Sequence, residues 1–233
     1  MMPDALTLGL AASAAGAVAA LFFSDPPAGA GTEKKTAYTP KDFSKLLGMS
    51  GFSDTMLNNH FKLYQGYVKN SNLVDEKALQ LCMAGQTAVP EFAELKRRFG
   101  WEFNGMRLHE LYFGNLGGNG QIDSKSLLLK QIEKDFMKFD NWKFDFIGVG
   151  SMRGIGWTVA YWEPVARKLV NCWINEHDTG HMAGCTPVLV MDCFEHAYMT
   201  DYQLDRKSYI EAFLKNVDWS MASDRYFDAN RRI

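Results

Sequence analysis

Between Trp157 and Met191 the chain carries three short apolar runs, Trp157-Thr-Val-Ala-Tyr-Trp162, Lys168-Leu-Val-Asn-Cys-Trp-Ile174 and Thr186-Pro-Val-Leu-Val-Met191, separated by turn residues. Their length and their β-branched and aromatic content suit buried strands, because branching at Cβ restricts rotamers in a helix and packs well on a pleated surface. Three such runs make a small antiparallel sheet. The rest reads as helix. Thr39-Pro40 is expected to start a short helix ending near Gly48, and Ser53 is a plausible N-cap for a long helix through His60 and Tyr67. Pro90 opens another, and the segment with His109 stops at Gly117-Gly118. Helical patterns follow at 124–137 and 141–150, and helices return after Glu195. The expected fold class is α+β: an N-terminal helical hairpin, residues 37–120, then an α/β half, residues 121–233, with a three-stranded antiparallel sheet and flanking helices.

With 47% apolar and 22% charged residues among 233, the chain has enough material for a sizeable buried core. A net charge of -2 and a pI of about 6.2 argue against nucleic acid as a partner. Cys82, Cys172, Cys185 and Cys193 form no Cys-x-x-Cys pair, so they are expected to be buried thiols in a reducing compartment.

Residues 1–36 form a separate segment. From Ala5 to Phe23 nineteen residues pass without a charge, about 28 Å as a helix and close to the ~30 Å hydrocarbon core of a bilayer. An N-terminal apolar helix is therefore expected. Its only preceding charge is acidic Asp4, which argues against a secretory signal, and arginines suited to a mitochondrial leader are missing. A linker, Asp25-Pro-Pro-Ala-Gly-Ala-Gly31, leads to Lys34-Lys35, which place the globular part on the cytoplasmic or matrix side of a membrane. Much of the segment is Ala and Gly, and small residues four apart, such as Gly9 with Ser13, suit packing against a partner helix in a membrane complex. A retained anchor, a removed targeting sequence and a docking helix are the three readings of residues 5–23.

His60, His109, Asp192 and His196 supply three imidazoles and one carboxylate. Such a mixed N/O set suits a redox-active Fe or Mn ion and leaves a further position for solvent. Asp192 and His196 are four apart, near enough to reach one ion, and antiparallel helices can bring His60 and His109 to the same place. Zinc would also accept these donors, but a zinc hydrolase needs a general base and a substrate cleft that the sequence does not identify.

At this point a resemblance becomes specific. Asp192-Cys-Phe-Glu-His196-Ala-Tyr198 is similar to the Asp-x-Trp-Glu-His-Ala-Tyr signature of the iron/manganese superoxide dismutase family. Gly154-Ile-Gly-Trp157 resembles that family's Gly-Ser-Gly-Trp stretch, and Asp201-Tyr202 with Arg206, then Asn216-Val-Asp-Trp219, resemble its C-terminal helices. His109 with Tyr112 matches the second-ligand helix, although Arg107-Leu108 replaces a typical Trp-Asn pair. The resemblance implies His60, His109, Asp192 and His196 as ligands of one Fe or Mn ion per chain, with a slight lean to Fe.

The surrounding residues depart from the common pattern. Where many iron enzymes of the family place a Gln to hydrogen-bond the solvent on the metal, four residues before the second ligand, this chain has Gly105. His177 resembles the His that replaces Gln in one branch of the family. Tyr67 resembles the gateway Tyr but is seven residues after His60 rather than eight; seven positions turn a helix by about 700°, so it still falls within about 20° of the His60 face. Tyr64 stands where a second channel His is common, and Met199 replaces the Tyr that pairs with that His across the dimer. Glu195, which the family directs to the partner's ligating His, is kept, so a homodimer is implied. Arg206 resembles a charge-steering Arg. His181 has no counterpart in the pattern and reads as a surface or structural residue.

The implied reaction is disproportionation of superoxide to dioxygen and hydrogen peroxide, with Tyr67 and His177 in the proton supply and Arg206 attracting the anion. The apolar leader adds the expectation of a membrane tether. The alternative is a dismutase-like structural or accessory subunit of a membrane complex.

Overall fold

The computed structural model of the protein describes residues 37–231, which belong to one compact unit. The apolar stretch 5–23 lies outside the described residues, as do the leader's three readings. Among the described residues, no helix is long and apolar enough to cross a membrane.

The chain enters as extended backbone and makes one 3-10 turn, Ser44–Leu46, whose Leu46 is buried. The helix expected from Thr39-Pro40 to Gly48 does not form: the Asp42 carboxylate accepts from the Ser44 amide at 2.8 Å, and Gly48 turns the chain at φ +79. Helix α1, Asp54–Met83, starts where Ser53 accepts from the Met56 amide at 3.1 Å. Its buried residues, Met56, Leu57, His60, Tyr64, Val68, Ser71, Val74 and Ala78, recur every three or four positions and form one stripe. Helix α2, Pro90–Gly114, carries the facing stripe, with Met106, Leu108, His109, Tyr112 and Phe113. The two pack as a long antiparallel hairpin.

Helices α3, Leu127–Phe136, and α4, Phe139–Gly150, begin and end within three residues of expectation, separated by Met137 at φ 69. Strands β1, Gly156–Glu163, β2, Lys168–Asn175, and β3, Thr186–Asp192, form an antiparallel sheet in the order β2-β1-β3. Central β1 is buried along nearly its whole length, and its register sets Trp157 beside both Ile174 and Asp192. After β3 come a 3-10 turn, Glu195–Ala197, and helices α5, Met199–Tyr202, α6, Arg206–Lys215, and α7, Trp219–Arg231.

The hairpin and the sheet half are stitched at residues 115–118. The Asn115 side chain donates to Tyr112 O and Val190 O, Gly118 N donates to Asn216 O, and Leu116 bridges Val217. A Cβ at Gly118 would lie 2.4 Å from Val217 O, so this close approach of two backbones requires glycine. All four cysteines are free, but only Cys193 is buried. Cys82 lies in the exposed last turn of α1, and Cys172 and Cys185 are half-buried because edge strand β2 and the loop before β3 leave one side open.

Candidate metal centre

Four elements converge behind the Trp157 end of the sheet. The α1 stripe delivers His60, α2 delivers His109, the last residue of β3 is Asp192, and the following turn delivers His196. The ligand atoms of these four all lie within 4.8 Å of one another. Asp192 Oδ2 is 3.1 Å from His60 Nε2, 3.1 Å from His196 Nε2 and 3.6 Å from His109 Nε2. Donor atoms about 2.0–2.2 Å from one ion and 90–120° apart would be about 2.8–3.8 Å from each other, so all three Asp192 distances fit a shared cation.

Hydrogen bonding sharpens that fit. His109 Nδ1 lies 2.5 Å from Gly105 O, an acceptor only, so Nδ1 carries the proton and Nε2 presents a lone pair. That buried Nε2 has no hydrogen-bond partner, as a waiting metal ligand should. Burial, then the neighbouring His60, holds the His109 imidazole far below its ordinary pKa, so it stays neutral; burial also lowers that of His60. Burial alone would raise the Asp192 carboxyl, but His196 and His60 outweigh it and keep it ionised. The Phe194 amide donates to Asp192 Oδ1 at 2.8 Å, which fixes the carboxylate, and the Tyr209 hydroxyl donates to the Asp192 main-chain carbonyl at 2.7 Å, which fixes the backbone that carries it. Three imidazole nitrogens and one anionic oxygen suit Fe or Mn.

Tyr67 and His177 meet beside this cluster. α1 is continuous through both His60 and Tyr67, and the Tyr67 ring stacks on His109 with centroids 5.2 Å apart. Tyr67 Oη is 2.7 Å from His177 Nε2, while Trp157 Nε1 donates to His177 Nδ1 at 3.1 Å. An indole nitrogen only donates, so His177 Nδ1 is the acceptor and Nε2 carries the proton of the neutral ring. His177 therefore donates to Tyr67, whose own hydroxyl proton is left free for another acceptor. Burial pushes the His177 imidazole down to about 4 and the Tyr67 hydroxyl up to about 12, so both are neutral near pH 7.

Gly105 makes this arrangement fit. A Cβ there would meet the Tyr67 ring at 2.6 Å, so no larger residue can occupy the position while Tyr67 keeps its stacking on His109. Buried Tyr64 turns away from the centre: it donates to Glu110 Oε1 at 3.0 Å and accepts from the Lys41 amide at 2.9 Å. Arg107 at 2.6 Å and Lys41 at 3.1 Å neutralise Glu110. Arg206 donates to Met152 O, Gly154 O and the Tyr198 hydroxyl, tying the segment before β1 to the turn after His196. Glu195 and Met199 are exposed beside His196, the one cluster residue with substantial exposure, at 28% of its side chain. His181, half-buried, bonds Tyr161 and His177.

Sequence reasoning did not assign roles to Trp157 as the donor that sets the His177 tautomer, Trp101 packed edge-on to His177 at 4.8 Å, or Phe194 stacked between His177 and His196. The signal for Phe194 was its place inside the Asp192–His196 run; Trp101 offered none.

The family model for the C-terminal domain of iron/manganese superoxide dismutases matches residues 124–225. A protein named superoxide dismutase (Fe) from Cupriavidus metallidurans is 35% identical over 188 residues, covering 78% of this chain and 92% of the relative. One of the same name from Aquifex pyrophilus is 32% identical over 192 residues, 80% of this chain and 90% of its own. A superoxide dismutase (Mn) from Haloarcula marismortui is 38% identical over 122 residues, 52% of this chain and 60% of its own. With the Cupriavidus and Aquifex relatives covered to about nine-tenths of their length at this identity, and with three histidines and an aspartate gathered at one point, the chain belongs to the iron/manganese superoxide dismutase family.

Proposed function

We propose that the protein disproportionates superoxide, using one Fe or Mn ion held by His60, His109, Asp192 and His196. The observation that carries this reading is the unpartnered, buried Nε2 of His109 aimed at the other three donors. One superoxide gives up an electron and leaves as dioxygen; the second gains that electron and two protons and leaves as hydrogen peroxide. The bound ion would supply the one-electron exchange.

The chain's own residues manage protons and charge. Trp157 holds His177 with its N–H toward Tyr67, and Tyr67 keeps a proton to deliver because its hydroxyl does not ionise at neutral pH. Asp192 is the single anion of the set, so a divalent or trivalent ion leaves the site positive and attractive to an anion. Arg206 serves this site by holding the His196 turn against the segment before β1, and its positive charge adds to the attraction.

A homodimer is part of the proposal, supported by the exposed Glu195 and Met199 beside His196. So is a membrane tether through residues 5–23, supported by the uncharged run alone, with the catalytic part on the cytoplasmic or matrix side. The intact donor set favours an enzyme over a purely structural subunit. Metal analysis of wild type and His109→Ala tests the assignment: wild type is expected to purify with close to one Fe or Mn per chain, and the variant with at least about tenfold less. Equal metal content in both would remove His109 from the centre.

A further inference from the structure

We propose that His181 is a positioning residue for His177, acting through the peptide carbonyl of His177 and anchored in turn by Tyr161. This deepens the dismutase reading and rests on it. His177 sits on the connection between β2 and β3, which has little regular structure of its own. Asn175 N donates to Thr179 O at 2.9 Å, and Glu176 takes a left-handed φ of 55 between them. On the far side, His181 Nε2 lies 2.8 Å from His177 O, and His181 Nδ1 lies 3.1 Å from the Tyr161 hydroxyl.

The chemistry of this link is directional. A carbonyl only accepts, so His181 Nε2 carries a proton in every charge state that makes the bond. In the neutral ring Nδ1 is then the acceptor, and Tyr161 donates to it. Burial raises the Tyr161 hydroxyl well above its ordinary pKa, so that donor is retained. Tyr161 lies on β1 four residues after Trp157, the donor to His177 Nδ1. One strand therefore grips His177 twice: Trp157 holds the ring, and Tyr161 with His181 holds the backbone.

The ring needs that second hold. Its Nε2–H must meet Tyr67 at 2.7 Å while Nδ1 meets Trp157 at 3.1 Å, and rotating or sliding the loop breaks both at once. The surrounding rings of Trp101 and Phe194 limit tilt but offer no hydrogen bond to the loop.

The test uses metal-loaded, full-length protein. His181→Ala removes the link, Tyr161→Phe removes its anchor while keeping His181, and His181→Gln restores a donor and an acceptor on a chain of similar reach. Two readouts are taken: steady-state superoxide consumption per bound metal, and the ultraviolet resonance Raman band that reports hydrogen bonding of the Trp157 indole N–H, assigned with Trp157→Phe. Expected are a weakened indole bond and a roughly tenfold lower kcat in His181→Ala at unchanged metal content, the same direction in Tyr161→Phe, and recovery of both signals in His181→Gln. An unchanged indole band in both His181→Ala and Tyr161→Phe overturns the proposal, as does a Gln variant no better than Ala. The band is read whether or not the protein consumes superoxide, so failure of the dismutase reading is seen separately.

Discussion

Gly105 O holds the proton of His109 on Nδ1 and leaves Nε2 bare beside Asp192, and the same glycine makes room for Tyr67. Gly105→Ala would place a methyl within 2.6 Å of the Tyr67 ring, so a stability loss of about 1–3 kcal/mol is expected in denaturant unfolding, with the Tyr67 contact to His177 displaced. His177 adds a pH dependence. Its folded pKa of about 4 lies below the ordinary 6.5, so between these values the unfolded chain binds a proton that the folded site refuses. Stability contributed by the neutral ring is full above pH 6.5 and is lost as pH falls toward 4. At about 1.4 kcal/mol per pKa unit, wild type should lose about 2 kcal/mol more than His177→Gln between pH 7 and about pH 5, measured by urea unfolding of each at both values. That these four residues would gather was legible in the sequence, because Asp192 and His196 sit in one short run and each helix offers one histidine on its apolar stripe. The Trp157–His177–Tyr67 chain was only half legible: each member could be matched, but their contact and the tautomer depend on which atoms approach across 110 residues.

Elements place those residues by ordinary helix and sheet rules. The seven-residue step from His60 to Tyr67 needs no irregularity in α1, because nearly two full turns return to the same face. The three strands were legible from composition and length, and their ends came within two residues. The start of the chain's described part was not: Thr39-Pro40 suggested a helix, but Asp42 and Gly48 favour a turn that lowers Leu46 into the core. Ser53 is the local determinant of α1, since it caps Met56 and also binds Asp201 on α5, with its amide at 2.7 Å and its hydroxyl at 2.6 Å. Ser53→Ala should cost about 1–2 kcal/mol, read as a lower thermal midpoint, and Ser53→Asp should not restore it because a second carboxylate would face Asp201. Full recovery by Asp would mean that only the cap is important.

At the scale of the whole molecule, the hairpin and the sheet half each supply two of the four donors, so neither can form the site alone. Their joint at Asn115–Gly118 is therefore as necessary to the centre as the donors themselves. Because the folded cluster gathers the four donors and the unfolded chain does not, metal binding should stabilise the native fold by mass action. Chelation is expected to lower the thermal midpoint, with recovery on adding Fe or Mn back. What the sequence could not convey here is which cysteines are covered, since Cys172 lies on an edge strand and Cys185 in the loop before β3, both open on one side. Stopped-flow decay of superoxide, with full-length protein whose Fe and Mn contents have been measured, decides whether the centre is catalytic. Catalytic decay proportional to bound metal and abolished on its removal is expected; decay no faster than buffer, at close to one Fe or Mn per chain, would rule out dismutation at this centre.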